Sequence, residues 1–409
     1  MKTKIKLGVI GLNRGGDLIE WDFSCMDDVY VAGICDLKDE RLKKISDVMA
    51  QKNMPVSVIT KNYKEILDIP GLDAVLVSTT WDMHFPIAIE AMKKGLYVGL
   101  EVGGAYTLSE CDELVKVAEQ TGHKFMFLEN CCYSRREMMA LNMASKGMFG
   151  ELVHLEGAYT HCLRKMIADD DYRINDYLYR NCENYPTHEI GPIAKLLHIN
   201  KGNRFISLVS MSSKAVGINA YARKSKGSEH KYADTKFAQG DVVTTILKCA
   251  NGETVTITLD TTLPCPYSRR FAVIGTEGRY NEENDSVFFD GVHDEWEWMK
   301  WKAKWGNAAE YQEEYDHPVW QEHRKHPELL EFGHGGTDFV SCRAFVETVK
   351  RDCKAPIDVY DAAVMMCISV LSEQSIALGS QPVAFPDFTR GEWLNRKPEK
   401  TDFIFSLDY

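Results

Sequence analysis

The 409-residue chain is long enough for two domains, because a single hydrophobic core stops growing below this length. Hydrophobic residues make up 44% and charged residues 26%, the composition of an ordinary globular protein. The net charge of −12 argues against a nucleic-acid partner, since phosphate binding requires a basic face. No apolar run has the length of a membrane span, so we expect no membrane partner.

The N-terminus, MKTKIKLGVIG, enters a strand pattern almost at once and leaves no room for a signal peptide. We therefore expect a cytoplasmic protein, unless an export signal has been removed. The 12 cysteines include no CxxC pair, which favours buried, reduced thiols at Cys35, Cys111, Cys249 and Cys367. His323 and His326 have a spacing seen in metal sites, but their stretch is charged, so we expect a solvated face and no metal.

Residues 1–149 alternate between strand and helix patterns. The predicted strands are KIKLGVIG, VYVAGICD, LDAVLVST, LYVGLEV and HKFMFLEN. Helices are predicted from about Gly15 and at LKDERLKKISDVMA, HFPIAIEAMKKG and LSECDELVKVAEQTG. Because the strands are almost continuously apolar, this order predicts an α/β Rossmann domain with a doubly wound parallel sheet.

The segment GVIGLNRGG follows the first predicted strand and opens the first helix. It matches the dinucleotide fingerprint G-x-G-x-x-G at Gly11 and Gly16, with Asn13 in place of the middle glycine. Asp36 ends the second strand, 20 residues after Gly16. A carboxylate there accepts hydrogen bonds from ribose hydroxyls and repels a 2′-phosphate, so we expect NAD rather than NADP. The alternative is a domain whose glycines serve packing alone.

After Gly150 the pattern changes to strands with few helices between them. The predicted strands are GELVHLEGAYTH, NRFISLVSMSS, DVVTTILKCA, ETVTITLDTT and RRFAVIGTEG, with a hairpin turn at Asn251-Gly252. Residues 150–409 are therefore predicted to form a substrate-binding α+β domain with a large, mainly antiparallel open sheet. Residues 293–336 read as irregular. Two helices are predicted at about 338–351 and 359–378, and these helices and the tail are able to pack back on the first domain.

The segment NYPTHEIG, residues 184–191, places Tyr185 and His188 three positions apart at a predicted helix start. By spacing alone we favour a helix-capping loop with a packed tyrosine and a buried histidine. His334, in the glycine-rich segment GHGGTDF, is a second candidate, because glycines let a backbone approach a ligand closely. A plain turn is the alternative at His334.

This pairing of domains resembles the Gfo/Idh/MocA oxidoreductases, in which a Rossmann domain is joined to an open-sheet domain. In those enzymes the fifth strand usually ends in Glu-Lys-Pro, and the lysine helps to move a proton at the substrate alcohol. Here the strand ends in Glu101-Val102-Gly103. The usual proton partner is therefore missing, and the chemistry must be arranged differently.

Several segments resemble one branch of that superfamily, glycoside hydrolase family 109, the NAD-dependent α-N-acetylgalactosaminidases. They run in order over nearly the whole chain and include LEVGGAYTLSE, FLENCCYSRREMMALNM, YRNCENYPTHEIGPIAKLLHINKGNRF, DTTLPCPYSRR and GHGGTDF. The chain departs from the family's pattern at Cys131-Cys132, where Val-Asn is frequent, and at Glu189, where glycine is common. Both departures lie close to the implied site and leave the preferred sugar open.

The resemblance implies roles for individual positions. It implies NAD contacts at Asn13, Arg14, Asp36, Trp81, Asp82, Met83, His84, Glu101, Val102 and Asn130, besides Gly11 and Gly16 of the fingerprint. It implies a sugar site lined by Tyr159, Arg173, Tyr185, Pro186, Thr187, His188 and Tyr267, with Tyr185 also near the nicotinamide. The candidates for proton transfer are His188, Tyr185, Tyr159, Tyr267 and His334. The resemblance thus reverses the preference for a mere capping loop at NYPTHEIG.

The same resemblance implies a glycosidase with tightly bound NAD and a redox-elimination route. In that route the sugar C3 is oxidised, the group on C1 leaves by elimination, water adds, and C3 is reduced again. The sequence singles out no carboxylate pair of the kind that most glycosidases use. The alternatives are an NAD-dependent sugar or inositol dehydrogenase, a non-catalytic sugar-binding protein that keeps NAD, and a redox glycosidase with another hexoside preference. We expect a homo-oligomer, a dimer or higher.

Overall fold

The computed structural model describes residues 2–300, 304–326, 333–399 and 401–409. The chain forms two units. The first comprises Met1–Arg135, Pro318–Val364 and Lys400–Asp408, and the second comprises Arg136–His317, Met365–Glu399 and Tyr409. The predicted domain boundary between residues 149 and 150 stays a prediction. Across the described ranges, no helix is both long and apolar enough to cross a membrane.

The first unit is built on a parallel sheet. Its strands are β1 (Ile5–Ile10), β2 (Val29–Cys35), β3 (Val58–Thr60), β4 (Ala74–Val77), β5 (Tyr97–Leu100) and β6 (Phe125–Phe127). They lie in the order β3-β2-β1-β4-β5-β6, so the described residues form a doubly wound sheet. This confirms the predicted Rossmann fold. The sequence did not predict β3, because this short strand has no buried side chain.

Helices connect these strands and continue through the rest of the chain. The first five are α1 (Arg14–Trp21), α2 (Asp39–Gln51), α3 (Tyr63–Leu67), α4 (Trp81–Lys93) and α5 (Leu108–Gln120). The later ones are α6 (Arg135–Ser145), α7 (Arg164–Ala168), α8 (Ile174–Tyr179), α9 (Thr187–Leu196), α10 (Gly217–Lys226), α11 (Glu295–Trp298), α12 (Ala308–Tyr315), α13 (Pro318–His323), α14 (Thr337–Arg351) and α15 (Val359–Ala377).

The last two helices agree with the predicted ones, whereas several short helices were not predicted. The prediction that residues 293–336 are irregular is wrong where α11, α12 and α13 form. These helices, like α7 and α8, are no longer than eight residues. Helices this short depend on tertiary packing for their stability, so they leave little periodic signal in the sequence.

The helix α14 belongs to the core of the first unit. A Cβ at Gly99 of β5 would lie 3.0 Å from Cζ of Phe345, so glycine lets α14 approach the sheet closely. Arg343 of α14 donates two hydrogen bonds of 2.7 Å to the carboxylate of Asp28, just before β2. These bonds hold the pKa of Asp28 well below its usual range. The helix α14 is therefore part of the first unit, although it follows the larger sheet in sequence.

Two predictions about single side chains have different outcomes. Cys35, Cys111, Cys249 and Cys367 are buried free thiols, as predicted. His323 does not lie on a solvated face, because it is buried against Trp320 with ring centroids 5.2 Å apart. One face of the short helix α13 makes this contact. The charged residues around His323 in sequence gave no indication of it.

The second unit contains the larger sheet. Its strands are β7 (Leu152–Thr160), β8 (Phe205–Ser212), β9 (Val242–Cys249), β10 (Thr254–Asp260), β11 (Ala272–Gly275), β12 (Gly278–Asn281), β13 (Ser286–Phe289) and β14 (Val383–Ala384). Their order among the described residues is β13-β12-β11-β7-β10-β9-β8-β14. Of these neighbouring pairs, β7 and β10 run parallel and the others antiparallel. The predicted mainly antiparallel sheet is confirmed.

The predicted hairpin at Asn251-Gly252 joins β9 to β10. Gly252 has a φ of +112°, which other residues rarely adopt, and Thr254 pairs with Lys248 across the turn. On the other side of β10, strand β7 is covered by α9. A Cβ at Gly157 of β7 would lie 2.7 Å from the carbonyl oxygen of Glu189, so helix and strand touch directly. This contact places the start of α9 over the end of β7.

Candidate active site

The loop between β1 and α1 has the geometry of a phosphate-binding turn. Gly11 has a φ of +94°, and a Cβ there would lie 2.3 Å from the carbonyl oxygen of Ser78. A Cβ at Gly16 would lie 2.7 Å from Cδ1 of Ile45 in α2. Glycine is thus required at Gly11, and at Gly16 it lets α1 approach Ile45 closely. The helix α1 begins directly after Asn13, and the free amides at such a helix start can hold a pyrophosphate.

Asp36 lies directly after β2 and is held by backbone amides. Its Oδ2 accepts a hydrogen bond of 2.8 Å from the amide of Leu12, and its Oδ1 accepts one of 2.9 Å from Lys38. The guanidinium of Arg41 lies 3.5 Å from Oδ2. The first bond ties the predicted ribose-binding carboxylate to the phosphate loop. The remaining lone pairs of the carboxylate are available in principle to ribose hydroxyls.

Asp338, in the first turn of α14, joins three of the predicted site residues. Its Oδ1 lies 2.6 Å from Nη2 of Arg14 and accepts a 2.7 Å hydrogen bond from Asn130, and its Oδ2 lies 2.8 Å from Nδ1 of His334. Burial alone would raise the pKa of Asp338, but His334 and Arg14 hold it well below its usual range. The sequence analysis missed Asp338, although it lies four residues after His334, one helical turn away.

His334 is part of this network and not of the group of predicted tyrosines. The residue lies in the first unit with Arg14 and Asn130, whereas the predicted tyrosines lie in the second unit. Its φ is +51°, in the left-handed region, and its side chain is 59% exposed. His334 is therefore oriented by a buried carboxylate and keeps one ring edge open to solvent.

The predicted NAD contacts Trp81, Asp82, Met83 and His84 form the first turn of α4, after β4. His84 is buried, and its Nε2 lies 3.1 Å from the carbonyl oxygen of Thr79. Burial lowers the pKa of His84 to about 4, so the ring is neutral and donates this hydrogen bond. It fixes the loop that leads into α4.

Glu101 and Val102 follow β5 and are both buried. The carboxylate of Glu101 lies 3.7 Å from Nε of Arg14. Burial alone would lower the pKa of Arg14, but Glu101 and Asp338 raise it, so the guanidinium stays charged. Arg14 follows the carboxyl end of β1, and Glu101 and Val102 follow that of β5, which is where ligands bind in doubly wound sheets.

A group of aromatic rings forms at the end of β7 in the second unit. The ring of Tyr159 stacks on that of Tyr185, with centroids 4.5 Å apart, and meets His188 edge-on at 5.5 Å. The rings of Tyr185 and His188 are 4.9 Å apart, and Tyr267 lies 6.3 Å from Tyr159. The structure thus brings together four of the predicted residues from three segments of the chain. We call these four, together with His161, the ring cluster.

His161 is a member of the ring cluster that the sequence analysis missed. Its Nδ1 lies 3.0 Å from the hydroxyl of Tyr159, and its ring is 5.2 Å from that of Tyr267. Thr160 and Ser268 exchange two backbone hydrogen bonds of 3.0 Å, which draw Tyr267 to the end of β7. Residues two apart on a strand share a face, so the spacing of Tyr159 and His161 was an available signal.

Arg173 supplies positive charge to the ring cluster. Its guanidinium lies 5.7 Å from the ring centroid of Tyr185 and 4.8 Å from that of Tyr172. Burial alone would lower the pKa of Arg173, but the phenols of Tyr172 and Tyr185 and the carboxylate of Asp171 raise it. The residue therefore stays charged, and a fixed cation beside a phenol favours the phenolate form.

Pro186 and Thr187 form the start of α9, as predicted for the NYPTHEIG segment. Pro186 occupies the N-cap position and Thr187 is the first helical residue, with its side chain fully buried. His188 therefore lies in the first turn of the helix, and Tyr185 lies directly before it. The turn sets the directions of both rings.

Arg269 anchors the segment that carries Tyr267. Its guanidinium forms an ion pair with Glu137, which is buried on α6. Burial raises the pKa of Glu137 to about 7, although the charge of Arg269 opposes this shift. The arginine of the Pro-Tyr-Ser-Arg motif therefore has a structural role, because it ties the Tyr267 segment to a helix.

Two family descriptions match successive parts of the chain. Residues 5–128 match the oxidoreductase family with an NAD-binding Rossmann fold, the Gfo/Idh/MocA family. Residues 133–395 match the C-terminal domain of glycosyl hydrolase 109. Together the two matches span both sheets.

Proteins of known name align with nearly the whole length of this chain. A glycosyl hydrolase family 109 protein of Stenotrophomonas maltophilia is 38% identical, over 99% of this chain and 92% of that protein. An alpha-N-acetylgalactosaminidase of Tannerella forsythia is 37% identical, over 90% of this chain and 82% of that protein.

Solved structures share the fold at low sequence identity. An NAD-binding oxidoreductase from Klebsiella pneumoniae has a TM-score of 0.69 at 13% identity, covering 94% of this chain and 100% of its own. A levoglucosan dehydrogenase solved with NADH and L-sorbose has a TM-score of 0.67 at 15% identity, with the same coverage. These similarities establish the fold of the chain.

Proposed function

Because this chain belongs to glycosyl hydrolase family 109, we propose that it hydrolyses α-N-acetylgalactosaminides or related hexosides with a bound NAD that each turnover restores. The protein is an enzyme of the glycosidase type with a Rossmann domain of the Gfo/Idh/MocA family. The observation that carries the proposal is the ring cluster beside the charged Arg173. The relative from Tannerella forsythia, named as an alpha-N-acetylgalactosaminidase, supports the sugar class.

The residues at the ends of the parallel strands fit NAD. Gly11 lets the turn pack against the end of β4, where any Cβ would collide with Ser78, and Asn13 and Arg14 at the start of α1 would flank a pyrophosphate. Asp36 would bind the ribose hydroxyls, and its charge disfavours a 2′-phosphate. The other contacts we propose are Gly16, Trp81, Asp82, Met83, His84, Glu101, Val102 and Asn130, with Tyr185 near the nicotinamide. NAD, when bound, supplies a hydride acceptor at the sugar C3 and later returns the hydride.

The ring cluster would hold the sugar and move its protons. Tyr159 lies at the centre of the cluster, and its hydroxyl is hydrogen-bonded to His161. When Tyr159 accepts the proton from C2 of the sugar, its own hydroxyl proton can therefore pass to His161. Arg173 favours this transfer, because its charge stabilises a developing phenolate.

A second proton must leave the hydroxyl on C3 of the sugar. We assign this transfer to His188, because imidazole accepts a proton near neutral pH. The lysine that performs the step in related dehydrogenases is replaced here by Val102. Tyr185, Pro186, Thr187, Tyr267 and Arg173 complete the proposed sugar site.

A panel of nitrophenyl glycosides, assayed without added cofactor, tests this function. We expect nitrophenol release from the α-N-acetylgalactosaminide or a related hexoside over many turnovers, with no net NADH. In D₂O the released sugar should carry deuterium at C2, and a 3-O-methyl substrate should be inert. Steady NADH formation from a free sugar without glycoside cleavage would identify a dehydrogenase instead. Rapid cleavage of the 3-O-methyl glycoside would show a carboxylate-type hydrolase.

A further inference from the structure

Two glutamates are buried directly beside the segment that carries Tyr185 and His188. Glu183 precedes Tyr185 by two residues, and Glu189 follows His188 in the first turn of α9. Their exposed fractions are 0% and 1%, and their carboxyl groups are in contact. Glutamate is almost never fully buried unless it has a partner, so this pair requires a physical explanation.

Backbone amides lie near the two carboxyl groups but do not satisfy their oxygens. All four carboxylate oxygens of Glu183 and Glu189 are buried and accept no hydrogen bond of ordinary geometry from the described residues. Two unsolvated negative charges in contact repel each other strongly. A proton between the two groups removes one charge and supplies the missing donor, as in other close carboxyl pairs.

We propose that Glu183 and Glu189 hold a proton between their carboxyl groups at neutral pH and that this pair positions Tyr185 and His188 against Tyr159. The catalytic part of this inference rests on the proposed function of the ring cluster. The proton itself does not, because it follows from the burial and contact of the two side chains. Both glutamates are positioning residues, since the rings and not the carboxyl groups would touch the sugar.

The surroundings support a pair that keeps a proton. Burial raises the pKa of Glu183 to about 8, although Glu189 and the backbone amides of Tyr185 and Leu259 act in the opposite direction. Burial and Glu183 raise the pKa of Glu189 well above its usual range, and the backbone amides of Thr258 and Tyr159 oppose this only in part. Three of these four amides come from β7 and β10, and that of Tyr185 comes from the loop before α9, so the pair lies between α9 and the sheet.

Several elements packed against the pair bring titratable or polar groups to it. Cys182, on the same loop, is buried, and burial raises the pKa of its thiol well above its usual range. From α15, Ser372 accepts a 2.8 Å hydrogen bond from the amide of Glu183 and has no charge. The strand β7 brings the phenol of Tyr159, and α9 brings the imidazole of His188. Because the imidazole of His188 is itself a titratable group, the test leaves it in place.

The pair explains how a buried glutamate is accommodated where α9 meets β7. The carbonyl oxygen of Glu189 lies close to Gly157, so α9 is pressed onto β7 at this residue. Loss of the shared proton would create two repelling charges at that contact. The first turn of α9 would then move away from β7, and the stacking of Tyr185 on Tyr159 would be lost.

The experiment compares the wild type with E189Q, E183Q and the control E229Q between pH 5.5 and 9.5. A glutamine has the shape of the protonated acid and can donate to the remaining carboxylate. Glu229 is an exposed glutamate of the same unit. Thermal unfolding, bound nucleotide and glycosidase rate are measured, together with the infrared C=O stretch of protonated carboxylic acids.

The wild type should lose stability as the pH rises from about 5 to about 8, because the folded pair keeps a proton that the unfolded chain releases. Its melting temperature should therefore fall relative to E189Q over this range, and E229Q should follow the wild type. Above about pH 8 the wild-type rate should fall about tenfold per pH unit relative to E189Q, the slope of a single proton. The wild type should show an acid C=O band that E189Q lacks.

Two results would overturn the inference. One is a pH dependence of unfolding and an infrared spectrum that are the same in E189Q, E183Q and the wild type. The other is a folded, nucleotide-retaining E189Q that is inactive at every pH, since the carboxyl itself would then be required. If even the wild type cleaves no glycoside, the proposed function fails, while unfolding and infrared data still decide whether the proton is shared.

Discussion

The phosphate loop of the first unit depends on backbone geometry, whereas the ring cluster of the second depends on side chains from separate segments. In the loop, Gly11 and Gly16 lie five residues apart, and a close approach of neighbouring atoms occurs at each. In the ring cluster, Tyr159 and Tyr267 lie more than a hundred residues apart in sequence. The proposed cofactor site is therefore encoded in one continuous motif, whereas the proposed sugar site forms only when the chain folds.

The largest effect should come from Tyr159→Phe, which tests whether the ring cluster performs chemistry or only packing. We expect the glycosidase rate to fall about 10²–10⁴-fold, because the proposed base is removed. The fold and the bound NAD should be retained, since the ring remains. Tyr179→Phe is the matched control, because Tyr179 lies in the same unit with 76% of its surface exposed. Equal rates in the two variants would reduce the ring cluster to a packing feature.

The first unit should lose stability in acid, because it contains a buried, neutral histidine. His84 is neutral in the folded protein, where burial lowers its pKa to about 4. As the pH falls from about 6.5 to about 4, the unfolded chain binds a proton at this histidine and the folded protein does not. The free energy of unfolding should therefore fall by about 3 kcal/mol from this group alone.

Urea unfolding at pH 7 and pH 4.5 measures this acid loss. His84→Gln should lose less stability than the wild type, because glutamine does not titrate and its amide can replace the hydrogen bond to Thr79. His123→Gln, at an exposed histidine of the same unit, should behave as the wild type. An acid loss in His84→Gln as large as that of the wild type would contradict the prediction.

Gly11→Ala tests the backbone requirement of the phosphate loop. The substitution places a Cβ 2.3 Å from a carbonyl oxygen at a φ of +94°, so we expect a loss of about 3 kcal/mol in stability. Gly71→Ala is the matched control, because Gly71 has a φ of +71° and open space around its Cβ position. It should cost only the backbone strain, about 1–2 kcal/mol.

Urea midpoints and the NAD released on denaturation compare these two variants. Gly71→Ala should keep its nucleotide and Gly11→Ala should lose it. If both variants lose the same stability and keep the same nucleotide, the close approach at Gly11 has no functional meaning.

His161→Gln tests the part of the ring cluster that the sequence did not reveal. We expect a rate loss of about thirtyfold, because a hydrogen bond to a group that develops charge is worth about 2 kcal/mol. The loss should be in kcat rather than KM, since His161 acts through Tyr159. A change in KM alone would make His161 a sugar contact instead of a proton acceptor.

The smallest effect should come from Asp36→Ala, which removes one side chain from the cofactor site and leaves the glycine turn. We expect NAD to bind about tenfold more weakly, the cost of losing hydrogen bonds from the ribose to a charged group. Asp39→Ala, at an exposed carboxylate three residues later, is the control. Unchanged nucleotide content in Asp36→Ala would remove this residue from the cofactor site.

Several features could be predicted because their signals are local. The apolar runs of β1, β2 and β4 and the helices between them follow directly from residue periodicity. The Asn251-Gly252 hairpin follows from turn chemistry, since a glycine accepts a positive φ. The short elements β3, α7 and α12 were not predicted, because their stability comes from contacts with distant parts of the chain.

The sequence by itself determined the Rossmann sheet, the glycine turn and the start of α9, since periodicity and capping act within a few residues. Only the tertiary structure decided that His161 joins Tyr159, that Asp338 orients His334, and that Glu183 meets Glu189. Each of these contacts depends on burial or on a partner from another part of the fold. The chemistry of a carboxyl or imidazole group is set by such neighbours, because they control its solvation and charge.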